Sequence, residues 1–178
     1  MLKQTLLFTT LIASIFSVSA TAIASGHDPE DEARAWADRR SASAEYGAAD
    51  EAKAILRRAV AEVKADKAGA IAKFNHNEPP FRDRDLFVFC FNGQDGRYTA
   101  HEAFVARDAR KFRDAKGKAV GAEMYSSAQV GRITEVAYTA PIPGSTKLTS
   151  KIAFVTRIGD QVCGVSAYQS NRSSNAIQ

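Results

Sequence analysis

Along the chain, the spacing of apolar residues changes character twice. Between positions 50 and 68, Ala52, Ile55, Leu56, Ala59, Val60 and Val63 recur every three or four residues, with Lys53, Arg57, Arg58, Glu62 and Lys64 between them. One apolar stripe on that period predicts an amphipathic helix, with Asp50 placed to cap it. A shorter helix is predicted over 67–74, burying Ala70, Ile71 and Phe74, and Pro79-Pro80 forbids its continuation. The period then falls to two. Asp85-Leu-Phe-Val-Phe-Cys-Phe-Asn92 is apolar on both alternating sets, which predicts a strand covered on both faces. Asn92-Gly-Gln-Asp-Gly96 supplies a hairpin turn into a return strand at 97–101. After the turn Asp114-Ala-Lys-Gly117 comes a helix at 118–128 with Val120, Met124 and Ala128 on one face. Three more strands follow at 132–139, 147–158 and 161–168, divided by Pro141-Ile-Pro-Gly144 and Gly159-Asp160. Hairpin connections make the sheet antiparallel. The predicted fold is α+β: a long N-terminal helix packed on a five-stranded antiparallel sheet, with a helical insertion.

The ends read differently from the middle. Lys3 precedes an apolar run over 6–18, and Ala22-Ile-Ala24 follows. That is the layout of a secretory signal peptide, with cleavage expected after Ala24 and Ala20 as the second choice. The run is short for the roughly 20 residues a bilayer span needs. The expectation is a leader at 1–24 and a mature chain that is periplasmic or secreted, with no membrane span. Residues 25–49 form a polar, Ala-rich extension with Asp28, Glu30, Asp31 and Glu32 near its start, which favours a helix over 29–40. The domain proper spans 50–169, and 170–178 is a polar tail.

Composition removes several function classes. A length of 178 residues suits one domain. The formal charge of +4 is modest, and basic and acidic residues interleave, as in Arg107-Asp-Ala-Arg-Lys111. A nucleic-acid footprint needs clustered basic charge with stacking aromatics, so no nucleic-acid partner is expected. Two cysteines and three histidines, none at ligand spacing, predict no metal and no cofactor. No Gly-x-Ser-x-Gly elbow or marked carboxylate pair is present, so no catalytic residue is assigned and no enzyme is expected.

Six short elements, taken in order, carry a family likeness. They are Ala70-Ile-Ala-Lys-Phe74-Asn75, Asp85-Leu-Phe-Val-Phe89, the Asn92–Gly96 turn followed by Ala100-His101-Glu102, Arg113-Asp-Ala-Lys-Gly-Lys118, Lys151-Ile-Ala-Phe-Val155, and Ile158-Gly-Asp-Gln-Val-Cys-Gly-Val-Ser-Ala-Tyr168. Together they resemble the single-Cache family of bacterial extracellular sensor domains over roughly 50–168. The resemblance implies a PAS-like sheet in which the first and last long strands are neighbours. Cys90 and Cys163 lie on those strands, and outside the cytoplasm an isolated pair reads as a disulfide; the alternative is two buried thiols. It also implies a small-molecule pocket between the sheet and an insertion over 102–128. There His101 would supply a hydrogen bond, Phe89 an apolar wall and Lys151, at the start of the fourth strand, a charge suited to a small carboxylate. The competing readings are a loop-holding histidine and a solvated strand-end lysine. Such domains act through a membrane-bound signalling protein, so the expected role is sensory or accessory ligand binding. Departures from the family pattern (Glu102 for proline, Ala106 for glycine, Ser166-Ala167-Tyr168 for Gly-Tyr-Tyr) favour an alternative: a structural or protein-interaction module with a degenerate pocket.

Overall fold

A computed structural model describes Glu30, Arg34 and residues 45–169 of the chain. The leader at 1–24 and the tail at 170–178 lie outside these residues. Of the helix predicted over 29–40, only Glu30 and Arg34 are described, as a helical pair joined by an exposed ion pair of 3.4 Å.

Helix α1 runs Ala49–Ala65 and α2 runs Lys67–Asn75. The first turn of α1 is closed by Glu51, whose carboxylate accepts the Ala48 N–H at 2.7 Å; Asp50 lies inside the helix instead of capping it. Asp66 explains why the apolar stripe does not continue as one helix. Its extended backbone ends α1, and its carboxylate accepts the Gly69 N–H at 3.1 Å, capping α2.

The sheet holds the five expected strands plus a two-residue one. The strands are β1 (Arg82–Asp83), β2 (Leu86–Asn92), β3 (Tyr98–Ala100), β4 (Thr134–Pro141), β5 (Leu148–Ile158) and β6 (Gln161–Tyr168). All pairings among them are antiparallel, in the order β1-β2-β6-β5-β4, and β3 also pairs with β2. A 3₁₀ turn at Ala109–Lys111 and helix α3 (Val120–Ser127) fill the connection from β3 to β4.

The two-residue period of β2 sorts its side chains between two cores. Leu86, Val88 and Cys90 face α1 and α2, where they meet Ile55, Leu56, Ala59 and Phe74. Phe87, Phe89 and Phe91 face the insertion, against Tyr98, Val120 and Met124. Cys90 and Cys163 stand directly opposite in the β2–β6 register, 4.1 Å apart at Cα, and form a fully buried disulfide.

Ala106, a non-glycine residue, has a φ of +67°. The loop holds it there: its N–H donates to the Tyr98 carbonyl and its own carbonyl accepts the Arg97 guanidinium, both at 2.9 Å. A left-handed non-glycine residue costs about 1–2 kcal/mol, and glycine's greater freedom in the unfolded chain offsets part of that. Ala106→Gly is therefore expected to stabilise the domain by about 0.5–1 kcal/mol in denaturant titration. A loss of stability would show that the loop accommodates the alanine without strain.

Candidate functional site

The insertion does not seal completely against the sheet. A cavity of about 60 Å³ remains between them. Its sheet side is built by Phe87 and Phe89 of β2, Tyr98 of β3, Tyr138 of β4, Lys151 of β5 and Ser166 of β6; Phe104, Phe112 and Met124 close it from the insertion, and His101 stands at the end of β3. Strand register makes this convergence. Tyr138 is directly opposite Lys151, and Phe89 is directly opposite Gly164. A Cβ at Gly164 would lie 2.5 Å from Cζ of Phe89, so only a bare backbone lets that ring lie across β6.

His101 sits in an aromatic cage. Its ring centroid is 4.5 Å from Phe104, 4.9 Å from Tyr98 and 5.4 Å from Phe87. Nδ1 accepts the Ala103 N–H at 3.0 Å, which leaves the proton of a neutral ring on Nε2. Burial pushes the imidazole down to about 4, so at neutral pH the ring is an uncharged hydrogen-bond donor. Burial also pushes Tyr138 up to about 12, opposed by the Ser166 hydroxyl beside it, and raises Tyr98. Both phenols keep their protons.

Lys151 is not the solvated strand-end residue of the competing reading, nor does it begin its strand. It is the fourth residue of β5, paired with Tyr138 on one side and Tyr168 on the other, and its side chain is 11% exposed. Its ammonium lies 4.1 Å from the Tyr168 ring centroid, and its closest acid is Asp85, with Oδ2 at 3.8 Å. Burial lowers its pKa, against the attraction of Asp85 and Glu102. Among the described residues no acceptor comes within hydrogen-bonding distance of the ammonium.

Outside the cavity lies an open groove of about 400 Å³, bordered by Glu45, Tyr46, Arg82, Arg84, Asp85, Glu102 and Pro143. Phe87 and Lys151 border both spaces, so they form the partition between them.

The structure thus brings His101, Lys151 and Phe89 to one cavity. Sequence reasoning passes over Tyr98, Tyr138 and Asp85, and takes Ser166 only as a departure from the family pattern. Tyr98 and Tyr138 could have been found from strand alternation once the register was known. Asp85 was read as the first residue of a strand, yet it stands in the two-residue turn between β1 and β2. Among the described residues, no group of three or more His, Cys, Asp or Glu side chains is arranged to hold a metal ion, and no helix is long and apolar enough to cross a membrane.

No protein-family profile matches the chain, and no curated protein matches it in sequence. Its fold does match solved structures. A methyl-accepting chemotaxis protein from Vibrio parahaemolyticus overlays with a TM-score of 0.54 at 18% identity, covering 78% of this chain and 95% of that one. The periplasmic sensor domain of a chemotaxis protein overlays at 0.50 with 20% identity, covering 78% and 98%. A Cache chemosensory domain described for carboxylic acid recognition overlays at a lower 0.46 with 17% identity, covering 81% and 100%. The chain has the α+β fold of chemotaxis sensor domains.

Proposed function

We propose that the chain is an exported sensor or accessory module that binds a small carboxylate between its sheet and its insertion, and that it acts through a membrane-bound signalling partner. One observation carries the reading: Lys151 presents a largely buried ammonium, without a hydrogen-bonding acceptor, at the wall of a cavity. Asp85 at 3.8 Å and the Tyr168 ring offset part of the cost of burying this cation, and a ligand carboxylate in hydrogen-bonding contact with it would offset more. His101 Nε2–H would donate a second hydrogen bond, and Phe89 would form the apolar wall. The space sets the size. A water needs about 10–15 Å³ of such volume, so a cavity of about 60 Å³ suits an acid of two or three carbons. Export is supported by the buried Cys90–Cys163 disulfide, since such bonds persist in oxidising compartments.

The test is a thermal-shift series with formate, acetate, propionate, lactate and pyruvate, with citrate as an oversized control. A ligand at 100 times its Kd stabilises by about 2.7 kcal/mol. His101 changes charge only near pH 4, so affinity is expected to be flat from pH 5.5 to 8. It should fall at alkaline pH, as Lys151 loses its proton below the ordinary lysine value. An inflection near pH 6.5 would show that His101 binds as a cation. The second reading, an interaction module, is favoured by the small volume of the cavity, and it gains if no acid shifts the melting curve.

A further inference from the structure

Asp85 holds two things at once. Its Oδ1 accepts the Gly47 N–H at 2.7 Å, while its Oδ2 is buried without a hydrogen bond and faces Lys151 at 3.8 Å. Gly47 belongs to the short segment that leads into α1. That segment lies flush on the sheet: a Cβ at Gly47 would collide with the Leu86 side chain. A second path joins the same two places. The Lys151 ammonium covers the Tyr168 ring, and that ring meets Tyr46 edge-on, with centroids 5.2 Å apart. Arg84, neighbour of Asp85 in the turn, donates to the Tyr46 carbonyl at 3.3 Å and to Glu51 at 2.6 Å.

We propose that Asp85 is a positioning residue that couples the occupant of the Lys151 cavity to the docking of residues 45–47, so that an anion on Lys151 loosens the segment at Gly47. The proposal rests on the carboxylate reading and names the regulation of that site. Its physics is a competition for one cation. In the empty cavity Lys151 is the charge that offsets burial of Asp85 Oδ2. An arriving carboxylate neutralises the ammonium and brings a like charge toward Asp85. The buried Oδ2 can then regain solvation only if water enters, and the segment held by Oδ1 stands in its way. The groups facing the pair are Glu102 and Glu45 as acids, Arg84 and Arg82 as cations, neutral His101, and the rings of Tyr168, Tyr46, Tyr98 and Tyr138. None of the acids among them reaches the Lys151 ammonium as closely as Asp85.

Amide hydrogen exchange at Gly47, measured on the full chain with amides of β6 as the internal reference, tests this. Two perturbations are applied: sodium acetate, and Lys151→Met with no ligand. Each is expected to speed Gly47 exchange about tenfold relative to β6. In an Asp85→Asn background, where the side chain can still accept from Gly47 but has no charge to strand, neither is expected to change it more than twofold. If Lys151→Met does not fold, Lys151→Gln replaces it. Gly47 exchange unchanged by removal of the lysine overturns the proposal. If acetate neither binds nor acts while the lysine variant still speeds exchange, the coupling stands and the ligand reading falls. If acetate binds and Gly47 does not respond, the ligand reading stands and the coupling falls.

Discussion

Cys90→Ala/Cys163→Ala is expected to lower the unfolding free energy by about 4 kcal/mol. The bond closes a loop of 73 residues, and the chain-entropy account gives roughly that value for a loop of this length. Alanine is the right replacement, because both sulfurs are fully buried and a serine hydroxyl would lack a partner there. Against a total of 5–15 kcal/mol for an ordinary domain, the loss is large, and the melting temperature should fall by about 10–20 °C. The effect should also reach the site. The disulfide fastens β2 to β6, and these strands contribute Phe89 and Ser166 to the cavity. Urea titration of the double variant against the oxidised parent measures the stability. A loss under about 1 kcal/mol would show that β2–β6 pairing and the two cores hold the strands together unaided.

Lys151→Met is expected to abolish carboxylate binding and also to destabilise the fold. Removing one member of a buried ion pair leaves the other uncompensated, which typically costs 3–5 kcal/mol. Here Asp85 keeps the Gly47 N–H and the separation is 3.8 Å, so about 2–3 kcal/mol is the expected stability loss. Adding Asp85→Asn removes the stranded charge. The double variant should therefore recover most of the stability and none of the binding. Loss of the cation should weaken affinity at least a hundredfold, about 2.7 kcal/mol. Calorimetric titration with the acid that stabilises the parent, alongside urea titration of both variants, separates the two effects. Retained binding in Lys151→Met would remove this residue from the site.

What could be read from the chain follows from the range of the physics involved. The bounds of β6 match the pattern because Gly159-Asp160 enforces a turn and local alternation does the rest. The break at Asp66 was hidden, since the apolar stripe runs on past it and only the side chain's preference for the Gly69 N–H interrupts the helix. Strand β1 was missed because two residues carry no period. Cys90 and Cys163 could be paired only through the order of family elements, as no local pattern says that β2 neighbours β6. The burial of Lys151 was hidden for the same reason. Alternation puts it on a strand, but Tyr138, Tyr168 and Asp85, which cover it, come from three other stretches of chain.

The strand order has a consequence for how the domain is made. The last strand among the described residues, β6, lies inside the sheet between β2 and β5. A chain that emerges N-terminus first therefore presents β2, apolar on both sides, well before its partner exists. At about 5–20 residues per second, the 73 residues between Cys90 and Cys163 take roughly 4–15 s to follow. Over that interval Phe87, Phe89 and Phe91 have β1, the β3 hairpin and the emerging insertion beside them, but β2 lacks the long strand that pairs with it along its length. Folding is thus nearly all-or-none in time, with completion waiting on the final twenty described residues. Truncations that remove β6 should yield insoluble chains instead of a smaller folded core.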